Sequence, residues 1–378
     1  MPGKNLFKKS AQEKSVFKDE RFLYPEYIPE ALPHREKEIN SLVYCFDPIT
    51  KGKKPMNVFL TGPTGVGKTV CAKYVLHELE ESFDRTKTLY LNCFEYNSRP
   101  AVLTAIANFV GASLPRRGLA TDEIFSKMLE FMKKCGFTPI VILDEVDQLL
   151  ISEANSKLLY DLIRIVEYEK QGIGIVLISN DISLTSKLDS RIRSSLAEQT
   201  IVFDSYTPEQ LKKILKARCE LAFEANAFES DVVNVAAAHA AKLGGDCRVA
   251  IESLLKAGRI AERENTGIVS VETLQKAFEA VDMVSLLKGL PHLAKDDVLL
   301  LKIIAENQPI NSGKIYELYS SREGAELKER RLREILTELE KKNFINAKLV
   351  SMGNKGKTKE FSSRIPKQSL LSEIAKIK

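Results

Sequence analysis

Gly62-Pro-Thr-Gly-Val-Gly-Lys-Thr69 reads G-x-x-x-x-G-K-T, and residues at that spacing bind phosphate. Gly62, Pro63, Thr64, Gly65, Val66 and Gly67 form a loop whose backbone N–H groups turn inward around an anion. Lys68 reaches the terminal phosphates, and the Thr69 hydroxyl ligates Mg²⁺. Val70 opens a helical pattern that runs to Leu79, so the anion would sit at a helix N-terminus. A chance match in a chain of this length is on the order of one in a hundred, which sets aside a ligand-free tight turn. The loop predicts a bound nucleoside triphosphate, with ATP/ADP and Mg²⁺ as cofactors.

A second constellation follows about seventy-five residues on, at Pro139-Ile-Val-Ile-Leu-Asp-Glu-Val-Asp147. Four apolar residues and then adjacent carboxylates read as a central parallel strand whose C-terminal end delivers charge to the ligand crevice. Asp144 is placed to hold Mg²⁺ through water, and Glu145 to orient or polarise the attacking water. Asn180 ends another apolar run, Gly174 to Asn180. It is either a γ-phosphate or water contact, or a turn former after a strand.

These residues need a scaffold. Met56 to Leu60, Thr88 to Cys93, Pro139 to Leu143, Gly174 to Asn180 and Glu198 to Phe203 predict strands. Helical segments alternate with them at Val70–Leu79, Pro100–Val110, Thr121–Cys135 and Ser156–Glu169. That order is α/β, a doubly wound parallel sheet. Ahead of it, His34 opens a helix with Ile39, Leu42, Val43 and Phe46 at apolar spacing, ending before Pro48. The proline-punctuated segment before it, with Tyr27 and Ile28, is extended. It either walls the nucleotide base or is an ordinary loop packed on the core. From Tyr206 the chain turns helical through four segments ending at Leu287, a small domain broken at Gly244-Gly245.

Composition bounds the rest. The 378 residues, 44% hydrophobic and 28% charged, allow two or three domains of a soluble globular protein. No apolar run is long enough to span a membrane, and Met1 to Lys9 is polar and basic rather than signal-like, so a cytoplasmic, nucleoid-associated location is expected. The six cysteines are scattered without C-x-x-C and are expected to be buried thiols. The net charge of +5 is uneven, with 18 Lys and Arg against 12 Asp and Glu from His292 onward, and 38 against 39 before it. A basic terminal region on a nearly neutral core suggests a polyanionic partner such as nucleic acid, the alternative being a solvated basic surface.

That region predicts three helices, Lys295–Glu306, Ser312–Ser320 and Leu327–Lys342. A strand pair, Ile345–Met352 and Lys357–Arg364, follows across Gly353-Asn-Lys-Gly356. Three helices and a hairpin make a winged helix-turn-helix. On the third helix Leu332, Ile335, Leu336 and Leu339 define the buried stripe. Lys328, Arg330, Arg331 and Arg333 crowd its N-terminal half, and Lys355, Lys357 and Lys359 lie at the wing, a pattern suited to duplex DNA.

With these residues assembled, the chain resembles the archaeal replication initiators related to the origin recognition complex and to cell division control protein 6. They are AAA+ ATPases with a helical lid and a C-terminal winged helix. The resemblance runs from about Tyr24 to the C-terminus. It rests on the segment Tyr27 to Glu36, the phosphate loop, D-E-V-D at Asp144 to Asp147, I-S-N-D at Ile178 to Asp181, R-x-x-S-S at Arg191 to Ser195, and G-D-x-R at Gly245 to Arg248. It implies that Arg191 is an arginine finger completing a neighbouring subunit's site, with Arg193 the other candidate because Ser190 replaces a proline. It implies that Arg248 is the lid arginine reaching its own γ-phosphate, that Tyr206 and Arg218 bind ATP, and that Arg116 and Arg117 lie in or beside a helical insertion pressed against DNA.

The expected organisation is a flexible lead at 1–23, an AAA+ core at 24–205, a lid at 206–288 and a winged helix at 292–378. The expected function is ATP-regulated recognition of replication origins and help in loading the replicative helicase, with slow hydrolysis acting as a switch and other initiator paralogues as further partners. A paralogue acting as an ATP-bound regulator of initiation or transcription is the alternative, and promoter occupancy without origin occupancy would favour it. A clamp-loader subunit is disfavoured by the basic winged helix.

Overall fold

The computed structural model describes residues 15–150, 153–168, 172–188, 193, 199–322, 327–351 and 357–376. The chain divides into two compact units, the first ending at Leu274 and the second beginning at Gln275.

In the first unit five parallel strands, β1 (Val58–Thr61), β2 (Thr86–Asn92), β3 (Thr138–Asp144), β4 (Gly174–Ser179) and β5 (Thr200–Val202), lie in the order β2-β3-β4-β1-β5. The central strands are buried on both faces, which their unbroken apolar runs require. Val141, Leu143, Ile175 and Leu177 pack into a core with the helices Arg99–Phe109, Thr121–Lys134 and Glu153–Tyr168. Ile140, Ile142, Val176 and Ile178 face the opposite core, with the helices Glu36–Thr50 and Lys68–Ser82. Two cores on one sheet are the doubly wound architecture expected from the strand–helix alternation. All six cysteines are buried free thiols, as their scatter suggested.

The first helix departs from expectation in two ways. It continues through Pro48 to Thr50, its end closed by the Lys51 and Gly52 N–H groups donating to Pro48 and Ile49 carbonyls. Val43 is 50% exposed, because Leu42, Cys45 and Phe46 form the buried stripe and Val43 falls beside it.

Four helices follow β5: Pro208–Ala222, Ser230–Lys242, Cys247–Arg263 and Val271–Gly289. The first begins with Thr207 and Gln210 in a reciprocal capping box, a strong local start signal. The flexible lead expected as far as residue 23 is corrected for its last part, since Ser15 to Leu23 are tied onto these helices. Lys18 and Asp19 N–H groups donate to Ala222 O, Phe17 stacks on Phe223 at 5.1 Å, and Val16 and Leu23 are buried. Three apolar side chains in a polar stretch were enough to anchor it.

The second unit holds the helices Lys295–Asn307, Ser312–Ser320, Glu329–Lys341 and Lys367–Ile374 with a three-stranded antiparallel sheet. Its strands β6 (Ile310–Asn311), β7 (Ile345–Ser351) and β8 (Lys357–Ser363) lie in the order β6-β8-β7. This is a winged helix-turn-helix. Leu332, Ile335, Leu336 and Leu339 are all buried with Leu300, Ile304 and Tyr319. The terminal helix was not expected; its one buried residue, Leu370, gives almost no periodic signal. Among the described residues no helix is long and apolar enough to cross a membrane.

Candidate functional site: a phosphate loop beneath a helical lid

The loop leaves buried β1 and enters the helix Lys68–Ser82 through Gly67, which takes a left-handed conformation. No side chain caps that N-terminus, so its first N–H groups are directed at the loop. Lys68 folds back over the turn and donates to Gly62 O at 2.7 Å, Pro63 O at 2.6 Å and Asn180 Oδ1 at 2.8 Å. Burial pulls its ammonium down to about 8, against the opposing pull of Glu145 and Asp144. The next residue, Thr69, donates from Oγ1 to Asp144 Oδ2 at 2.8 Å.

The two acidic residues at the end of β3 have different surroundings. Asp144 is buried. Its Oδ1 accepts the Glu145 N–H at 3.0 Å, and its Oδ2 accepts a second hydroxyl, Tyr90 OH, at 2.9 Å. Glu145 has φ +56°, a left-handed conformation that costs a non-glycine residue about 1–2 kcal/mol. Its Oε2 accepts Asn180 Nδ2 at 2.6 Å. Burial raises the Glu145 carboxyl above its ordinary range, and the Asn180 bond partly offsets this. The Asn180 amide therefore spans the site, accepting from Lys68 and donating to Glu145. Asp147, the last residue of D-E-V-D, instead accepts from Ser179 Oγ at 2.8 Å and braces β4.

Helical segments beyond β5 close over the loop. Gly65 has φ +69°, and a Cβ built on it would stand 1.7 Å from Asp246 Oδ1. The Cys247 N–H donates to Gly65 O at 3.2 Å. Asp246 caps the helix Cys247–Arg263 by accepting the Arg248 N–H, and it also pairs with the Arg248 guanidinium at 3.4 Å. Arg248 is 60% exposed at this edge. The Tyr206 hydroxyl lies 2.9 Å from where Gly67 would carry a Cβ.

Arg35, absent from the candidates drawn from sequence, joins these parts. It is buried, donates from Nε to Val66 O and Tyr206 OH, both at 3.1 Å, and from Nη2 to Asp204 O at 2.8 Å. Its Nη1 pairs with Glu38 at 2.8 Å. Its position between Pro33-His34 and Glu36 in the quoted motif was the available signal. Tyr90 was missed too, being one aromatic in an ordinary strand.

Arg218 is buried, donates to Phe22 O at 2.8 Å and Tyr27 O at 3.4 Å, and stands 5.0 Å from the Tyr27 ring centre. Its Nε is a buried donor without a partner among the described residues. Burial lowers its guanidinium below the ordinary value. Tyr27 is half-buried at this contact, as is Ile28, the next residue in the chain.

Arg116 and Arg117 are exposed in the turn between the helices Arg99–Phe109 and Thr121–Lys134. Arg193 is exposed. Arg191 and Lys355 lie outside the described residues, as does the side chain of Lys357, which opens β8. In the second unit Lys328 stands at the N-cap position of the helix Glu329–Lys341, with no side-chain capping bond. Arg330 and Arg331 both pair with Glu334, at 3.4 and 3.1 Å, Arg333 pairs with Glu329 at 2.5 Å, and Lys359 on β8 reaches Glu340 at 3.1 Å. Arg330 is 94% exposed.

The residues present fit a nucleotide and a divalent cation. A left-handed loop on a bare helix N-terminus suits phosphate, Thr69 and Asp144 supply hard oxygen donors, and Arg218 Nε is a buried donor left without a partner among the described residues. Among the described residues no group of three or more His, Cys, Asp or Glu is arranged to hold a metal ion.

Three family models match the chain: an AAA domain over residues 51–188, a Cdc6 AAA+ ATPase-type lid domain over 212–279, and a CDC6 C-terminal winged helix domain over 298–373. The ORC1-type DNA replication protein 1 of Archaeoglobus fulgidus is 35% identical over 369 residues, covering 94% of this chain and 90% of that protein. The ORC1-type DNA replication protein of Thermococcus kodakarensis is 36% identical over 374 residues, with the same coverage of 94% and 90%. Among solved structures, the Aeropyrum pernix ORC1 protein in complex with DNA superposes with a TM-score of 0.74 at 32% identity, covering 96% of this chain and 98% of that one.

Proposed function

The chain belongs to the archaeal Orc1/Cdc6 family of DNA replication initiators, AAA+ ATPases that bind nucleotide, and from that premise we propose that it is an ATP-switched, origin-binding initiator. The observation that carries the switch is that the loop whose Lys68 is bonded through Asn180 to Glu145 is also the loop whose Gly65 meets Asp246 and Cys247 of the lid.

Lys68 and the loop N–H groups would hold the β- and γ-phosphates. Thr69 and Asp144 would hold Mg²⁺, which supplies charge neutralisation of the phosphates when bound. Glu145, kept partly desolvated and oriented by Asn180, would position the water. Arg248 is held at the lid edge by Asp246 within one residue of the loop contact, which suits it to sense the phosphates. Tyr206 and Arg35 would transmit loop position to the lid hinge. Arg218, Tyr27 and Ile28 would wall the base. Arg191, or Arg193, would act in a neighbouring subunit's site, where a finger is worth ~10³ to 10⁵ in rate, so a lone subunit should turn over slowly.

DNA binding is proposed for the second unit, through Lys328, Arg330, Arg331 and Arg333 on the helix Glu329–Lys341 and Lys355, Lys357 and Lys359 on the wing. Arg116 and Arg117 would give a second contact from the first unit. Recruitment of the replicative helicase and work alongside initiator paralogues complete the proposal. Chromatin immunoprecipitation mapped against replication start sites tests it. Origin occupancy that falls in a Lys68→Ala strain is expected, and occupancy confined to promoters would overturn it in favour of a transcription regulator.

A further inference from the structure

We infer that Tyr90 is a positioning residue for the metal-facing carboxylate: its phenol holds Asp144 in the orientation that the divalent cation requires. The inference rests on the assignment of Mg²⁺ to Thr69 and Asp144 made above.

On β2, Leu89 and Leu91 turn toward the core beneath the helices Arg99–Phe109 and Thr121–Lys134. Strand alternation puts Tyr90 on the other face, toward the helix that follows the phosphate loop. There Lys73 Nζ stands 3.8 Å from the Tyr90 ring centre. Thr69 and Lys73 are one helical turn apart on the same helix face. One therefore touches Asp144 while the other covers the ring that reaches it.

The reach is set by register. Tyr90 pairs with Ile142, whereas Asp144 pairs with Asn92, two residues further along. Two residues of strand are about 6.6 Å. A phenol leaning along the strand spans that distance with a neutral donor at its tip. Leucine would fill part of the space without a donor, and lysine would bring a second positive charge to a site built for a cation.

Asp144 thus receives three donors from three elements. Oδ1 takes the Glu145 N–H, and Oδ2 takes Thr69 Oγ1 and Tyr90 OH. The Thr69 oxygen is itself a cation ligand in the proposed site, so Tyr90 is the side-chain donor to Asp144 that is not also a metal ligand; its hydroxyl has Asn92 as a second hydrogen-bond partner. Burial and the adjacent carboxylate raise the phenol well above its ordinary range, so it stays protonated at any physiological pH.

The test is Tyr90→Phe in the full chain, which keeps the ring and its contact with Lys73. Mn²⁺ binding in the presence of ADP is followed by electron paramagnetic resonance, and ADP binding is measured separately in EDTA. The expected result is Mn²⁺ affinity lowered about tenfold, at the low end of what outer-sphere partners contribute, with metal-free ADP affinity unchanged. Unchanged Mn²⁺ affinity overturns the inference. Equal losses with and without metal also overturn it, because they mark a merely structural role. Absence of protein-bound Mn²⁺ in the unsubstituted ADP complex overturns the metal assignment itself, a failure distinguishable from the first two.

Discussion

The Asp246 carboxylate lies directly against Gly65, so close that no side chain fits between them. This contact joins the N-terminus of the lid helix Cys247–Arg263 to the centre of the phosphate loop, and the Cys247 N–H bond to Gly65 O reinforces it. A ligand that moves the loop must therefore move the lid.

Gly65→Ala is expected to disturb both. The left-handed φ costs an alanine about 1–2 kcal/mol, and the collision with Asp246 adds to it. Asp246→Gly in the same chain removes the collision but not the backbone strain, and glycine replaces a capping residue at a cost of only a few tenths of a kcal/mol. Thermal melts of the four chains should show positive coupling, the double variant being more stable than the sum of the singles allows. Strict additivity would show that the two residues do not press on one another.

Lys68 gives a pH dependence of binding. With its ammonium pulled down to about 8 by burial, the side chain is charged below that pH and neutral above it. Phosphate requires the charged form. ADP affinity measured by fluorescence of a labelled nucleotide should be level near pH 7 and fall above about 8, by up to ~tenfold per unit, as binding then needs proton uptake. Constant affinity between pH 7 and 9.5 would contradict the burial argument.

Glu145 carries the opposite sign. Its folded-state pKa is raised by burial, so the stability it contributes is fully present below the ordinary 4.5 and is lost as pH rises through the folded value. Glu145→Gln keeps an acceptor for Asn180 and removes the titration. The Gln variant should melt above the parent at pH 7 to 8, with the gap closing toward pH 4.5. It should retain nucleotide binding and lose turnover. A gap independent of pH would rule out desolvation as the cause.

How much of this could be read in advance depended on whether the signal was local. The loop, Asp144, Glu145 and Asn180 were readable because strand-end and loop chemistry is written in consecutive residues, and each sits where its strand predicts. The stripe Leu332–Leu339 was readable because burial repeats at helical spacing. Arg35 and Tyr90 were not, since their partners Val66, Tyr206, Asp204 and Asp144 come from other elements brought together by tertiary packing. Val43 failed for a related reason: helical spacing defines a stripe, and which edge of it meets the core depends on a sheet the helix does not encode. The anchoring of Ser15 to Leu23 rests on Phe223 and Ala222, some two hundred residues away.

The helix Glu329–Lys341 gives a prediction for DNA. Its buried stripe fixes which face looks outward, and that face carries Arg330, Arg331 and Arg333, which among the described residues pair with glutamates of their own helix. Exposed pairs of this kind contribute about 0–1 kcal/mol, so phosphate oxygens can displace the glutamates at little cost. If Lys328 and Arg331 each meet a phosphate, Lys328→Ala/Arg331→Ala should lower duplex affinity at moderate salt. It should also reduce the slope of log affinity against log salt by about 1.8, roughly 0.9 for each contact removed. Fluorescence anisotropy from 50 to 300 mM salt measures both. A loss of affinity with an unchanged slope would place these two side chains on base edges, and no loss at all would remove this helix from the DNA surface.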